Sequence, residues 1–241
     1  MISTLVLLAG GMATRLRPVT ETIPKSMLEV AGKPFIDHQL KLIKKNNISE
    51  VVICVSFLGE AIKEYAGNGS RYGLKIDYSF DGDTLLGTGG TIRQALGKLG
   101  DNFFVMYGDS YLTADFRKIS EYFLSEDKQG LMTVLRNEGK WDKSNIEFEN
   151  GKILSYDKKS NNDNLKFIDY GLGILTRRSF EDFRNEKVFD LEAVYNELLK
   201  KEELLGYEVN ERFYEIGSFK GLEETNSYLI QNDPAVNNLI N

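Results

Sequence analysis

The stretch STLVLLAGGMATRLRPVTETIPKSM, residues 3–27, decides the fold. It begins as a continuous apolar run that ends in a glycine pair, the pattern of a strand buried on both faces of a parallel sheet. Arg15, Arg17 and the pair Pro24-Lys25 follow at once. In an open α/β sheet, ligands bind outside the carboxyl ends of the strands, and the first strand-to-helix loop is the usual phosphate site. Glycine lets backbone N–H groups approach phosphate oxygens with no Cβ in the way, and arginine supplies two-pronged charged contacts. The stretch therefore asks for a polyphosphate, although a glycine pair after a strand also serves as a plain tight turn. It matches neither G-x-x-x-x-G-K-[ST] nor G-x-G-x-x-G.

Further along the chain, Pro34 opens a predicted helix with Ile36, Leu40 and Ile43 at helical spacing, and Asn46-Asn47 close it. Residues 50–57 read as a second buried strand, completing a strand–helix–strand unit of the kind that makes a right-handed parallel crossover. A strand over 74–80, a helix over 91–99 and a third buried strand over 102–107 continue the alternation of an α/β sheet. After Asp109 the rhythm changes. Phe116, Ile119, Tyr122 and Phe123 mark an amphipathic helix, and residues 130–136 a strand. Asn150-Gly151, between IEFE and KILSY, is a strong hairpin signal. Strands over 167–175 and 207–216, and helices over 191–199 and 221–231, complete the pattern, with Ser218 as the cap of the last helix. The expectation is one α/β domain over 1–241: a Rossmann-like, open, mostly parallel mixed sheet flanked by helices, with a small β-hairpin elaboration. Its halves divide near residue 110, the second running over 111–232, and the tail from Asp233 is expected to be mobile.

Composition narrows the partners. The chain has 241 residues, 41% of them hydrophobic and 27% charged, within the globular range. A formal net charge of −6 excludes an overall basic field for nucleic acid or an anionic membrane, so any anion site is local. No apolar stretch approaches the roughly 20 residues of a bilayer span. Met1-Ile2-Ser3 lacks a charged leader start, and a cytoplasmic protein is expected. The one cysteine, Cys54, lies in the apolar run EVVICVSF and reads as a buried core residue. His38, between Ile36 and Leu40, falls on the polar side of its helix, and Trp141 in GKWDKSN reads as a lid, a homodimer contact or a surface anchor.

The run LLAGGMATRLRPVTETIPKSMLEVAGKPFIDHQL resembles the signature of the sugar-1-phosphate nucleotidyltransferases, roughly L-A-G-G-x-G-T-R-L-x-P-L-T followed by P-K-P and a later K-P. Three more segments match in order: GTGG at 87–90, YGDS at 107–110 and FYEIGS at 213–218. The resemblance covers residues 1 to about 230. It implies a GT-A-like fold and a reaction joining a nucleoside triphosphate to a sugar 1-phosphate with release of pyrophosphate, usually with Mg²⁺, in the service of surface polysaccharide or glycan synthesis. By the same resemblance, Leu8, Ala9, Gly10, Gly11, Met12, Ala13, Thr14, Gly87, Thr88 and Gly89 bind the nucleotide, within a nucleotide-binding half over 1–110. Arg15 holds the leaving phosphates, Lys25 bridges the reacting ones, and Asp109 is a metal ligand as well as a catalytic residue. Gly90, Asp157, Lys158, Asp169 and Gly171 fall to the sugar phosphate, in the half over 111–232.

The departures are specific. Ala13 stands for the usual glycine, and Glu215 for the usual second metal-binding aspartate, one methylene longer. The E-K-P motif is represented by Asp157-Lys158 without its proline, with Lys159 as a substitute, and Asp169-Tyr170-Gly171 replaces N-A-G. An ionised carboxylate at 169 accepts hydrogen bonds only, favouring a sugar that presents hydroxyl donors there. Arg17 reads equally as a solvated partner of Glu21. The GTGG segment is similar to guanylyltransferases for mannose and heptose 1-phosphates, and the short chain to those for heptose and to N-acetylmuramate 1-phosphate uridylyltransferases. Two other readings stay open: a cytidylyltransferase for a phosphorylated alcohol such as phosphocholine, and a non-catalytic nucleotide-sugar sensor. A dinucleotide oxidoreductase is disfavoured by the missing G-x-G-x-x-G.

Overall fold

A computed structural model describes every residue except Met12, Ala13, Arg17, Phe57, Glu138, Asp142, Asn161 and residues 233–241, and leaves the side chains of Thr14 and Val19 undescribed. The roles expected of Met12, Ala13, Arg17 and the tail lie outside the described residues. The opening run forms β1 (Thr4–Leu8), buried at all five positions. Its side chains alternate: Leu5 and Leu7 enter the core on one face of the sheet, Val6 and Leu8 the core on the other. A short hairpin, β2 (Glu29–Val30) and β3 (Lys33–Pro34), leads into α1 (Phe35–Lys45). Then follow β4 (Glu50–Val55), α2 (Gly59–Ala66), β5 (Lys75–Phe80), α3 (Gly87–Ala95) and β6 (Asn102–Tyr107).

The second half runs β7 (Ser110–Leu112), α4 (Phe116–Ser125), β8 (Gly130–Arg136), β9 (Ile146–Glu149), β10 (Lys152–Tyr156), β11 (Phe167–Thr176), α5 (Leu191–Lys200), β12 (Leu204–Val209), β13 (Phe213–Glu215) and α6 (Phe219–Asn232). Nine strands make one sheet in the order β10-β9-β11-β6-β1-β4-β5, with β8 beside β11 and β12 beside β8. Strands β6, β1, β4 and β5 are parallel, and β11 runs antiparallel along β6. Because β4 and β6 lie on opposite sides of β1, the direction of sheet growth switches there. That leaves a crevice at the carboxyl ends of β1 and β6. Both cores mix residues from before and after position 110.

Several elements differ from the expectation. The helix expected over 91–99 begins four residues earlier, at Gly87. Glycine is a poor helix former, and this turn forms because the N–H groups of Gly89 and Gly90 both donate to Phe189 O at 3.0 Å, a contact from another part of the chain. Helix α2 is not among the expected elements, although Ile62, Tyr65 and Ala66 stand at helical spacing and pack into the core. The strand expected over 207–216 is two: β12 pairs with β8, whereas β13 pairs with β7 in a separate small sheet. His38 is buried, not on a polar face, and a ring nitrogen lies 2.7 Å from Val30 O. The Asn150-Gly151 hairpin forms, with φ of 48° and 80° as a type I′ turn requires. Ser218 Oγ accepts from Gly221 N–H at 2.9 Å at the start of α6.

Helix α4 carries its own cap: Asp115 Oδ1 accepts from Arg117 N–H at 3.0 Å and Lys118 N–H at 3.2 Å. Asp115→Ala should therefore lower stability by about 1 kcal/mol, a fall of about 2–4 °C in Tm by calorimetry. Among the described residues, no helix is long and apolar enough to cross a membrane.

Candidate active site

Two cavities adjoin at the switch point. The smaller, about 320 Å³, is walled by Leu8, Ala9, Gly10 and Gly11 at the end of β1, by Gly87 and Thr88 at the start of α3, and by Lys25, Ser26, Tyr107, Gly108 and Asp109. Asp81, Leu85, Cys54 and Asp190 also line it. The larger, about 750 Å³, is walled by Arg15, Lys158, Asp169 and Glu215 together with Trp141 and Arg212. Tyr107 and Asp109 line both.

The wall between them is held by hydrogen bonds to the 107–110 turn. Gln39, wholly buried, donates to Tyr107 O at 3.2 Å and Ser110 O at 2.9 Å. Ile216 N–H donates to Asp109 O at 3.0 Å, and Gly108 N–H to Leu8 O at 2.9 Å. Ser26 Oγ donates to Gly108 O at 3.2 Å, anchoring the segment that carries Lys25. The Lys25 ammonium lies 2.9 Å from Asp109 Oδ2, and its side chain is only 14% exposed.

The glycines at the end of β1 differ in what they serve. A Cβ on Gly10 would meet Ser56 Oγ at 2.9 Å, whereas one on Gly11 would meet nothing within 4 Å among the described residues. Gly10 is thus required by packing. The bare backbone at Gly11 borders open cavity, as approach of a ligand would need. In the 87–90 segment the obstruction comes from the protein itself: a Cβ on Gly87 would lie 2.6 Å from Phe189 O, one on Gly89 2.5 Å from the Phe189 ring, and one on Gly90 against Lys187 O. Gly89 and Gly90 line neither cavity.

A second convergence occurs at Gly217. A Cβ there would come within 2.5 Å of Glu215 Oε2, 3.0 Å of an Arg15 guanidinium nitrogen and 3.4 Å of Lys25 Nζ. Two cations and one carboxylate thus gather at one turn, with Arg15 on the side of the larger cavity. Glu215 folds back on that turn, accepting from Gly217 N–H and from Ser218 Oγ.

Farther into the larger cavity, Asp169 Oδ2 accepts from the Tyr156 phenol at 3.2 Å and the Tyr107 phenol at 3.4 Å, while Oδ1 accepts from Gly171 N–H at 3.0 Å. Burial first, and then the Asp169 carboxylate, push both phenols well above the usual tyrosine range, so they stay protonated donors. The Lys158 ammonium sits 5.7 Å and 5.6 Å from the centroids of these two rings. Gly171 has φ of +92° and lies behind this wall. Asp157 lines neither cavity; its Oδ1 caps its own turn through the N–H groups of Lys159 and Ser160. Thr14 sits in a short 3₁₀ turn with Arg15.

No motif marks Asp81, Asp190 or Arg212, which come from three separated segments. Cys54 is buried and its thiol is pushed up by burial first and then by Asp81, as an unreactive core residue would be. Trp141 packs on Phe213, ring centroids 5.8 Å apart, at the larger cavity. As the one tryptophan of the chain, it should report any ligand filling that cavity by a change in emission, absent when only the smaller cavity is filled.

A parallel sheet with a phosphate-type loop at its switch point, opening beside a second polar cavity, defines a nucleotide-binding α/β protein with room for a second substrate. The chain belongs to the nucleotidyl transferase family, whose profile matches residues 4–231. It is 31% identical over 213 residues to a D-glycero-alpha-D-manno-heptose 1-phosphate guanylyltransferase of Campylobacter jejuni, covering 88% of this chain and 93% of that one. It is 43% identical over 112 residues to an N-acetylmuramate alpha-1-phosphate uridylyltransferase of Neisseria meningitidis, where the match spans 46% of this chain and 48% of the relative. The fold matches HddC from Yersinia pseudotuberculosis, solved with GMP-PN, at a TM-score of 0.79 and 23% identity over 95% of this chain and all of that one.

Proposed function

We propose that the protein transfers a nucleotidyl group from a nucleoside triphosphate to a sugar 1-phosphate, releasing pyrophosphate. The observation that carries this reading is the meeting of two cavities at the Lys25–Asp109 pair. Nearly all of the smaller cavity's wall comes from residues 1–110, and most of the larger one's from residues beyond 110. The triphosphate takes the smaller, with its phosphates along the backbone of residues 8–11. The sugar phosphate takes the larger, beside Lys158. A phosphate oxygen of the sugar phosphate forms a bond to the α-phosphorus, the bond from that phosphorus to the bridging oxygen breaks, and pyrophosphate leaves in line. The protein's share is positioning and charge neutralisation.

We assign Lys25 to the phosphates of both substrates and Arg15, which lines the larger cavity and nears Lys25 at the Gly217 turn, to phosphate charge on that side. The Lys25–Asp109 contact holds the ammonium in place before the phosphates arrive. Asp109 and Glu215 fit a Mg²⁺ ion: both line the larger cavity, they bring two hard oxygen donors, and this ion commonly takes one or two carboxylates with substrate oxygens and water completing its shell. When bound, the ion would neutralise phosphate charge at the α-phosphorus. No group of three or more histidine, cysteine or acidic residues suited to a metal occurs among the described residues.

GTP is the favoured triphosphate. Asp81 lines the smaller cavity, its carboxylate accepting from the Thr91 hydroxyl and from Leu86 N–H at 3.5 Å, and the lone pairs left over complement the two adjacent N–H donors on the edge of guanine. The relative aligned over most of its length is a guanylyltransferase. The product would feed polysaccharide or glycan synthesis in the cytoplasm. Pyrophosphate release with and without Mg²⁺, across the nucleoside triphosphates against mannose, heptose, glucose, N-acetylglucosamine and N-acetylmuramate 1-phosphates and phosphocholine, tests the reading. We expect one dominant pair, with a sugar 1-phosphate as acceptor and activity lost on chelation. Turnover only with CTP and phosphocholine, or tight binding of a nucleotide sugar with no turnover in any combination, would overturn it.

A further inference from the structure

Away from both substrate cavities, a third cavity of about 350 Å³ opens at the far end of α3, against the 3₁₀ segment Arg177–Phe183. It lies by the amino end of β6, where Arg177 N–H bonds to Asp101 O at 2.9 Å. Arg93, Arg177, Arg178 and Arg184 line it, with Glu181 the single acid. In a chain of net charge −6 this is a concentrated local excess of positive charge. Glu181 answers Arg184 at 3.1 Å. Among the described residues, Arg93, Arg177 and Arg178 form no ion pair.

Helix capping explains part of the cluster. Arg177 donates to Leu99 O at 2.9 Å and Arg93 to Arg184 O at 3.3 Å, as basic groups near a helix carboxyl end do. Two features are left over. Arg93 Nε is buried with no hydrogen-bond partner among the described residues, and such a donor is costly unless something completes it. Arg178 is exposed and caps nothing. Planar guanidinium forks converging on one space match the oxygens of a phosphate, and Phe180 offers an apolar wall for an organic body attached to it.

We propose that this cavity is a second anion site, for a small phosphate-bearing ligand, and that its occupancy is felt in the nucleotide cavity. Both of its walls continue into that cavity. Helix α3 carries Arg93 near one end and Gly87 and Thr88 at the other. The opposite wall runs from Phe183, stacked on Phe189 with ring centroids 4.7 Å apart, to Phe189 O, which holds the N–H groups of Gly89 and Gly90. Asp190 follows in the nucleotide cavity wall, and Leu191 N–H donates to Thr88 Oγ1 at 2.8 Å. A ligand that draws Arg93 and the 3₁₀ segment together acts on both ends of this packed connection.

The anion site is independent of the assigned reaction; only its effect on the nucleotide cavity rests on that reading, and the two are read separately. Inorganic phosphate and GDP are titrated calorimetrically, at fixed chloride, into wild type, Arg178→Gln, Arg93→Gln and Lys25→Ala. Arg178 makes no hydrogen bond among the described residues, so Arg178→Gln should fold as wild type. Phosphate binding should persist in Lys25→Ala and weaken about tenfold in the arginine variants, the scale of one lost charged contact. In Lys25→Ala, tighter GDP binding that Arg178→Gln weakens in the double variant marks an organic phosphate as the ligand, and phosphate binding alone an inorganic one. Equal binding by wild type and both arginine variants, or total loss in Lys25→Ala, overturns the site. The KM for the triphosphate should respond to phosphate at least twofold more in wild type than in Arg178→Gln. Identical responses overturn the coupling.

Discussion

Lys25→Ala should lower the rate of pyrophosphate release by about 10²–10³-fold, the scale on which loss of one preorganised charged donor acts. The ammonium sits 2.9 Å from Asp109 Oδ2 and is 14% exposed, so water screens it poorly and its field on a phosphate is strong. Its removal acts twice. The charge developing on the phosphates loses its partner, and Asp109, which lines both cavities, is left to repel the incoming anions. The loss should fall mainly on kcat, because the backbone of residues 8–11 still binds the nucleotide. Arginine should not restore the rate, since its planar fork needs more room than the ammonium does. Near-normal kcat in Lys25→Ala would remove Lys25 from the chemistry.

Gly108→Ala should both destabilise the fold and abolish turnover. A Cβ at this position would lie 2.5 Å from Leu8 O and 2.8 Å from Ala9 Cα. These are backbone atoms of the neighbouring strand end, so no side chain can turn aside to relieve the clash. The ends of β1 and β6 must separate, straining the 2.9 Å bond from Gly108 N–H to Leu8 O and the 3.2 Å bond from Ser26 Oγ to Gly108 O. Overpacking of this kind costs about 3 kcal/mol, which for a chain of this size is about 6–12 °C in Tm. The same separation moves Asp109 from Lys25. A variant with unchanged Tm and turnover would show that the two loops are not in contact as described. Gly11→Ala is the control: a Cβ there meets nothing within 4 Å among the described residues, so it should keep its Tm and lose only nucleotide affinity.

The parallel half of the fold is legible because β1, β4 and β6 are short apolar runs closed by polar or glycine residues, as burial on both faces demands, while β5 at the sheet edge alternates polar and apolar residues. The first strand, the crossover through α1 and the β6 end at Gly108-Asp109 follow from this pattern. The start of α3 is not legible in the sequence because GTGG has little helical propensity, and residues 187–190, a hundred positions later, supply the partner that makes it helical. The 207–216 segment reads as one strand because β-prone residues recur on both sides of Asn210-Glu211-Arg212. What splits it is the identity of its neighbours: β8 takes the first part and β7 the second.

Strand burial and phosphate chemistry both leave local marks in residue type and spacing, so the α/β alternation and the candidates Arg15, Lys25 and Asp109 are legible in the sequence alone. Only the tertiary structure decided that Lys25 pairs with Asp109 and that Arg15 and Glu215 meet at Gly217. The same holds for the hydrogen bonds of Asp169 to two tyrosines and for the four arginines gathered behind α3. Each of these joins segments far apart in the chain. The charge or hydrogen-bond partner of a side chain is set by distance in space, and separation along a sequence carries no record of it.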